Sequence, residues 1–231
     1  MKKLLTVFLL IPLFSLGQNS FWNKYEDITT SPEDKEYYKL YNNKKRGIRD
    51  INGTKESTKS IFRISTPTSF NSLGDGGSDE GTLYHIEGYG YWKGYVFRLE
   101  SYNDSKVSKY TSQEFVKFAE EGYNGDRNDI IQMMNKKNPN TYNDLKLIDM
   151  DFNLIIDSKH FIRRVTSYFY DKFKNTDYEY RRVYEYMYTT INNGKRYTLI
   201  LSYIGNDKSI ERLNSFFNAI AGTLEIDKKG Y

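Results

Sequence analysis

The dipeptide Asn193-Gly194 is the feature that most constrains this fold, because it stands between two strand-like runs, residues 178–191 and 195–204. Both residues tolerate a positive φ, which a two-residue hairpin turn requires. Such a turn sets the register of its strands, and a slip of one residue would send every side chain to the other face. The predicted cross-strand pairs are Tyr184 with Tyr203, Tyr186 with Leu201, Tyr188 with Leu199, Val183 with Ile204, Glu185 with Ser202 and Met187 with Ile200.

The two faces of this hairpin differ in polarity. The pairs that contain Tyr184, Tyr186 and Tyr188 make one face strongly apolar. The pairs that contain Glu185 and Met187 leave the other face mixed. This is the pattern of an antiparallel sheet that is covered more deeply on one side.

A helix over residues 209–222 is predicted to cover the tyrosine-lined face. Ser209 is a good N-cap for it and Gly222 a good stop. Between them, apolar residues recur at three- and four-residue steps, as a helix with one buried face requires. These residues are Ile210, Leu213, Phe216, Phe217, Ile220 and Ala221. Residues 223–226 then form a short final strand or an extended tail.

Further strands and helices are predicted upstream of the hairpin. The predicted strands are residues 60–66, 83–87, 91–102 and 161–170. Pro67 ends the first of them, and Gly88-Tyr89-Gly90 joins the second to the third. A capping box, Thr111-Ser112-Gln113-Glu114, begins one helix, and Gly122 is its expected left-handed stop. Asp126 caps a second helix with Ile130, Ile131, Met133 and Met134 inside it and Pro139 beyond its end.

Two stretches, residues 61–67 (IFRISTP) and 197–226, resemble the PsbP-like superfamily, and the resemblance covers about residues 60–226. It implies an α+β fold: a central antiparallel β-sheet flanked by α-helices, in an α/β/α sandwich. The matching motifs are structural, so the resemblance transfers no catalytic residue. It implies a binding or assembly-accessory domain, although a fold by itself does not determine function.

Residues 1–17 have the three parts of a cleavable export signal. Lys2 and Lys3 precede an apolar run that is too short to span a bilayer, and Ser15 and Gly17 place small residues at the cleavage site. An uncleaved membrane anchor is the alternative. No cysteine follows the run, so the exported protein, periplasmic or extracellular, is not expected to be a lipoprotein.

The rest of the chain divides into a polar N-terminal extension or linker, residues 18–59, and a single α+β domain, residues 60–231. No later run is long and apolar enough for a transmembrane segment. The formal charge of +4 falls to near +2 without Lys2 and Lys3, which argues against nucleic acid as a partner. Since the chain has 22 Tyr and 14 Phe but no Cys, the core is expected to be aromatic and free of disulfides.

Tyr89, Tyr91 and Trp92 are the candidate binding residues. They lie in a glycine-flanked segment, where aromatic side chains can contact a sugar, a peptide or a protein. The alternative is that Tyr91 and Trp92 begin a strand and that one of them packs inward.

Other polar groups suggest little chemistry. His85 and Glu87 share one face of a predicted strand and form half of a metal site at most, and His160 is the only other histidine. No G-x-S-x-G elbow is present. Asp75, Asp79 and Glu80 match no calcium-loop spacing, so a solvated loop is the simpler interpretation. Four arginines of neighbouring predicted strands have three interpretations: a basic cluster, ion pairs with Glu179 and Glu185, or positions at the sheet edge. They are Arg163, Arg164, Arg181 and Arg182.

The sequence therefore favours a non-enzymatic binding or assembly-accessory domain of the bacterial cell envelope, with a protein or envelope component as partner. No catalytic residue, metal site or cofactor is predicted. The alternatives are an envelope-acting hydrolase that uses carboxylates and a secreted structural protein that self-associates.

Overall fold

The computed structural model describes residues 48–55, 60–67, 70–72, 82–88, 93–123, 126–139, 141–170, 181–206 and 208–226. The strands are β1 (Ile48–Lys55), β2 (Ser60–Pro67), β3 (Phe70–Ser72), β4 (Thr82–Gly88), β5 (Tyr95–Asn103), β6 (Tyr142–Ile156), β7 (Lys159–Tyr170), β8 (Arg182–Asn192), β9 (Lys195–Ile204) and β10 (Glu225–Ile226). The helices are α1 (Ser112–Glu121), α2 (Arg127–Lys137) and α3 (Ile210–Gly222).

Seven strands form one antiparallel sheet in the order β3-β4-β5-β9-β8-β7-β6. The β8–β9 hairpin turns at Asn193 and Gly194, whose φ angles are 48° and 74°. All six predicted cross-strand pairs are present, so the register prediction is confirmed. The predicted fold class, α+β with a central antiparallel sheet, is confirmed as well.

Helix α3 covers the tyrosine-lined face, as predicted. Ser209 caps it by accepting a hydrogen bond from the backbone N–H of Arg212. The Phe217 ring meets the Tyr186 ring edge-on, with centroids 4.8 Å apart. The Tyr188 hydroxyl donates to Asn218 Oδ1 of α3 at 2.7 Å, so even the buried hydroxyl has a partner. This side of the sheet contains the main hydrophobic core.

Helices α1 and α2 lie toward the opposite face of the sheet. Phe115 and Val116 of α1 are buried in a second apolar cluster with Ile162 of β7 and Ile191 of β8. The predicted capping box is present: Thr111 Oγ1 accepts from the Glu114 N–H at 3.2 Å, and the Glu114 carboxylate accepts from the Thr111 N–H at 2.8 Å. The sheet therefore has helices on both sides.

Two details of these helices differ from the prediction. Gly122 has φ −80°, so the helix ends without a left-handed residue. Of the residues expected inside α2, Met134 is buried, but Met133 is 46% exposed. Met133 lines a cavity between α2 and the sheet, and its side chain is partly open to solvent there.

Strand β5 begins at Tyr95 rather than at residue 91. Gly94 has φ +93°, and a Cβ there would lie 2.8 Å from the carbonyl oxygen of Ile204. The Gly94 carbonyl accepts a hydrogen bond from the Ile204 N–H at 2.8 Å. Lys93 and Gly94 thus belong to a turn held closely against β9.

Strand β6 was not predicted from the sequence. It is 15 residues long and lies at the edge of the seven-stranded sheet, paired with β7. Its register shifts between Asn143 and Lys146, between Leu147 and Asp149, and between Asp151 and Leu154. These irregularities break the period-two alternation by which strands are recognised.

A smaller sheet has the order β1-β2-β10. Strand β1 falls within residues 18–59, which the sequence places in a polar extension, and all eight of its residues pair with β2. Backbone pairing does not depend on the apolar pattern that this segment lacks. The predicted final strand is β10, and nearby the Thr223 hydroxyl accepts a hydrogen bond from the Ser65 N–H at 3.0 Å.

Candidate functional site

The mixed face of the large sheet contains a groove made of two adjoining cavities. The outer cavity has a volume of about 380 Å³ and lies over β4, β5, β9, β8 and the end of β7. The helix-side cavity, of about 490 Å³, lies between the sheet and α2. Arg98, Tyr142, Glu185 and Ile200 line both cavities. We call the two together the sheet groove.

Strand pairing produces the floor of the sheet groove. His85 of β4 pairs with Arg98 of β5, and Arg98 pairs with Ile200 of β9. The same row continues through Met187 of β8 to Arg164 of β7. Because paired residues share one face of a sheet, two arginines stand on this floor with an apolar pair between them.

Glu185 is the central acid of the sheet groove. Its carboxylate lies 3.9 Å from Nη2 of Arg164, and each of these two side chains is only 16% exposed. The Tyr168 hydroxyl donates to Glu185 Oε2 at 3.2 Å. Burial raises the pKa of the Glu185 carboxyl, while Arg164 and Tyr168 oppose that rise. Burial and the nearby Glu185 carboxylate likewise raise the pKa of the Tyr168 hydroxyl.

A second acid, Glu100, is engaged in the same way. Arg98 Nε donates toward Glu100 Oε1 at 2.8 Å, and the Tyr102 hydroxyl donates to Glu100 Oε2 at 3.0 Å. The guanidinium of Arg196 lies over the Tyr102 ring, 5.6 Å from its centroid, and pairs with Asp104 at 3.3 Å. Glu100 and Glu185 therefore each have both an arginine and a tyrosine beside them.

Arg164 is the least satisfied arginine of the sheet groove. Its distance to Glu185 is that of an ion pair but exceeds hydrogen-bond length. Its Nε atom is buried and has no hydrogen-bond partner within the described residues. A guanidinium has five N–H donors, so this one has donors left for a ligand.

Tyrosine rings form one end of the sheet groove. The rings of Tyr142 and Tyr168 meet at 4.7 Å in an edge-on arrangement, and Tyr170 adjoins Tyr168 at 6.2 Å. Burial and the Glu185 carboxylate also raise the pKa of Tyr142. The Tyr142 and Tyr168 hydroxyls therefore stay protonated at neutral pH and act as neutral hydrogen-bond donors and acceptors.

The predicted binding residues Tyr89, Tyr91 and Trp92 lie outside the described residues. Gly88 directly precedes that segment, and Lys93 and Gly94 follow it. Both glycines line the outer cavity. Asp75, Asp79 and Glu80 also lie outside the described part of the chain.

The two histidines are in different places. His85 and Glu87 line the outer cavity, whereas His160 Nδ1 lies 3.3 Å from Asn153 Oδ1. Among residues that the structure describes, no three His, Asp or Glu side chains come together as a metal site would require.

The predicted arginine cluster is divided between the two faces of the sheet. The predicted pairing of Arg164 with Glu185 is confirmed. Arg163 instead donates to Asp149 at 2.6 Å and to Asn218 of α3 at 3.2 Å. Arg182 pairs with Asp144 of β6.

Sequence analysis missed Arg98, Glu100 and Tyr102 as site residues. They alternate along β5 and so share one face, which was the one available signal. That β5 lies beside β9 could not be inferred from hairpin patterns, since the two strands are far apart in the chain.

Within the described residues, no helix is both long enough and apolar enough to cross a bilayer. No protein-family model matches the chain, and no curated protein sequence matches it significantly.

Solved structures of three proteins are similar in fold. One is PsbP (CyanoP) from the cyanobacterium Synechocystis, with a TM-score of 0.47, 11% identity, and coverage of 78% of this chain and 93% of that one. The Ran-binding protein Mog1p of Saccharomyces cerevisiae has a TM-score of 0.44, 7% identity, and coverage of 77% and 95%. LpqN of Mycobacterium tuberculosis, involved in cell envelope biogenesis, has a TM-score of 0.41, 11% identity, and coverage of 79% and 93%. With identities of 7–11% and TM-scores of 0.41–0.47, these matches describe a similarity of fold alone.

Proposed function

We propose that this chain is an exported, non-enzymatic binding or assembly-accessory domain of the bacterial cell envelope, and that the sheet groove is its binding surface. The observation that supports this most directly is that two acids of the groove, Glu100 and Glu185, are each engaged by an arginine and a tyrosine. Such pairing holds the side chains in place, as a recognition surface needs. A catalytic acid or base must instead present its oxygen to the substrate.

The size and lining of the groove also suit a binding role. Small-molecule and peptide sites are concave, with apolar walls and a few convergent polar groups. The outer cavity combines tyrosine rings with the polar side chains of His85, Ser202 and Glu185. Tyr89, Tyr91 and Trp92 join this proposal because the chain that contains them connects two glycines at the groove wall.

Blocking the outer cavity tests the proposal. We expect Ser202→Trp to fill the cavity, since Ser202 lines it and stands between Val96 and Glu185 on the floor. Tagged protein would be used to capture partners from envelope fractions of the native cells. Ser105→Trp is the matched control, because Ser105 is exposed in a turn outside the groove.

The expected result is a specific envelope partner that the wild type and Ser105→Trp recover and that Ser202→Trp loses. Replacing Tyr91 and Trp92 by alanine should weaken the same capture. Equal recovery by all variants, or no specific partner for the wild type, would contradict the proposal.

Export needs a test of its own. If residues 1–17 are a cleaved signal, N-terminal sequencing of the protein recovered from outside the cytoplasm should begin at or near Gln18. An intact N-terminus in the cytoplasmic fraction would refute export while leaving the binding proposal in place.

A hydrolase is the second candidate, and one observation favours it. The Glu100 carboxylate adds to the burial that raises the pKa of Glu185, and a raised pKa on one of two nearby acids is typical of acid–base catalysis. Hydrolysis of envelope glycans or peptides that the wild type performs and Glu185→Gln abolishes would favour the enzyme. Absence of any such hydrolysis, together with partner capture, favours the binding domain.

A further inference from the structure

The helix-side cavity has more positive than negative side chains. Its cations are Arg98, Arg164, Arg196 and Lys137, and its acids are Glu100 and Glu185. Glu100 is already bound by Arg98, and Arg196 is paired with Asp104. Glu185 forms a 3.9 Å ion pair with Arg164. One net positive charge is therefore left, and Lys137 is the one of these four cations without an acid partner among the described residues.

Arg164 and Lys137 approach the cavity from opposite sides. Arg164 rises from the sheet floor and keeps a buried Nε without a partner in the described residues. Lys137 lies in the last turn of α2, and no acid of the described part of the chain forms an ion pair with it. The Glu185 carboxylate adjoins this site and lies 3.9 Å from Arg164 Nη2.

The remaining wall of the helix-side cavity is apolar. Met133, Met134, Phe115, Ile162 and Met187 line it. Met133 is 46% exposed although it adjoins this cavity, so part of the apolar wall is open to solvent. Flexible methionine side chains adapt to ligands of varied shape. The volume of about 490 Å³ lies within the usual range for small-molecule sites.

We propose that the helix-side cavity binds a single-chain amphiphilic anion, a carboxylate or phosphate head group on an acyl chain. The head group is held between the guanidinium of Arg164 and the ammonium of Lys137. The acyl chain lies along Met133, Met134 and Phe115. Charge complementarity selects the head group, and burial of methylene groups supplies most of the affinity. This inference rests on the proposed binding role of the sheet groove and names its ligand class.

Isothermal titration of the chain as recovered from cells tests the ligand class. Sodium dodecanoate and dodecyl phosphate are the two anionic probes, used below their micelle concentrations. Acetate and inorganic phosphate supply the head groups alone, and dodecyl maltoside supplies the same chain on an uncharged head.

We expect one-to-one binding of at least one anionic probe, at least tenfold tighter than that of dodecyl maltoside or of either free head group. The tighter of the two anionic probes identifies the head group. Shortening dodecanoate to octanoate should weaken binding by about fourfold for each methylene removed. No binding of either anionic probe, or equal binding of dodecyl maltoside, would overturn the proposal.

Variants of α2 locate the site. Lys137→Gln should weaken binding of the anionic probe about threefold, whereas Lys136→Gln, an exposed neighbour outside the cavity, should leave it unchanged. Arg164→Gln should weaken it about tenfold. Circular dichroism checks that each variant is folded, and the lysine pair decides the question if Arg164→Gln does not fold. Equal affinities for the two lysine variants would overturn the assignment.

The two proposals fail separately. If Ser202→Trp loses the envelope partner but neither anionic probe binds the wild type, the binding function stands and the ligand class is wrong. If an anionic probe binds as described but no partner depends on the outer cavity, the ligand class stands and the partner surface is wrong.

Discussion

Replacing Phe217 by alanine tests how α3 is held against the sheet. The side chain is fully buried, and its ring contacts the rings of Tyr186 at 4.8 Å, Tyr95 at 6.0 Å and Phe97 at 6.2 Å. A buried Phe→Ala change destabilises proteins by about 3–5 kcal/mol, and each lost aromatic pair adds to the transfer term. Because Phe217 has three such pairs with residues of the sheet, we expect a loss of about 4–5 kcal/mol in the free energy of unfolding.

Urea unfolding followed by far-ultraviolet circular dichroism measures this loss. Phe118→Ala is the matched control, since Phe118 is also a helical phenylalanine but is 49% exposed and stacks only on Tyr110 within the described residues. Its loss should be about 1 kcal/mol or less. A similar loss for both variants, or a loss below about 1 kcal/mol for Phe217→Ala, would refute the inference that α3 is docked through this ring.

Three further predictions follow from single positions. The pKa of Glu185 is raised in the folded state, so its contribution to stability is present below the ordinary pKa of 4.5 and is lost as the pH rises through the folded pKa. Across that pH range, urea unfolding should show that the wild type loses unfolding free energy relative to Glu185→Gln, by at most about 1.4 kcal/mol per pH unit. Parallel curves of unfolding free energy against pH for the two proteins would contradict this. Gly94→Ala should destabilise the protein by about 1–3 kcal/mol, because Gly94 has a positive φ and lies close to the carbonyl oxygen of Ile204. Gly122→Ala is the control: Gly122 has φ −80°, so this variant should be within about 1 kcal/mol of the wild type. Equal melting temperatures for the two variants would be the contrary result. Thr111→Ala removes the hydroxyl that accepts from the Glu114 N–H and should cost about 1 kcal/mol, while an unchanged urea midpoint would show that the cap is dispensable.

The elements that the sequence predicts correctly are those with local signals. The β8–β9 register follows from Asn193-Gly194, and α3 follows from its cap and apolar period. Strand β6 has no comparable signal, since its register shifts interrupt the alternation. Strand β1 has few apolar residues and is defined by its backbone partners in β2.

The sheet groove is less predictable than the fold. Arg98, Arg164 and Glu185 come from three strands, and the β5–β9, β8–β9 and β7–β8 pairings together bring them to one face. The sequence allows the Arg164–Glu185 pair to be proposed, because adjacent strands supply it. The sequence does not place Arg98 or Lys137 beside this pair, because their positions depend on the order of non-adjacent strands and on where α2 packs.

The irregular pairing of β6 also affects how copies of this protein meet. A straight outer strand presents an unbroken row of free amide and carbonyl groups, on which a second molecule can assemble and from which fibres grow. Strand β6 interrupts that row at each register shift, and Asp144 adds a left-handed residue with φ 50°. At the other margin, β3 has only three residues. Neither margin of the large sheet, among the described residues, is therefore a good template for a second copy of the chain.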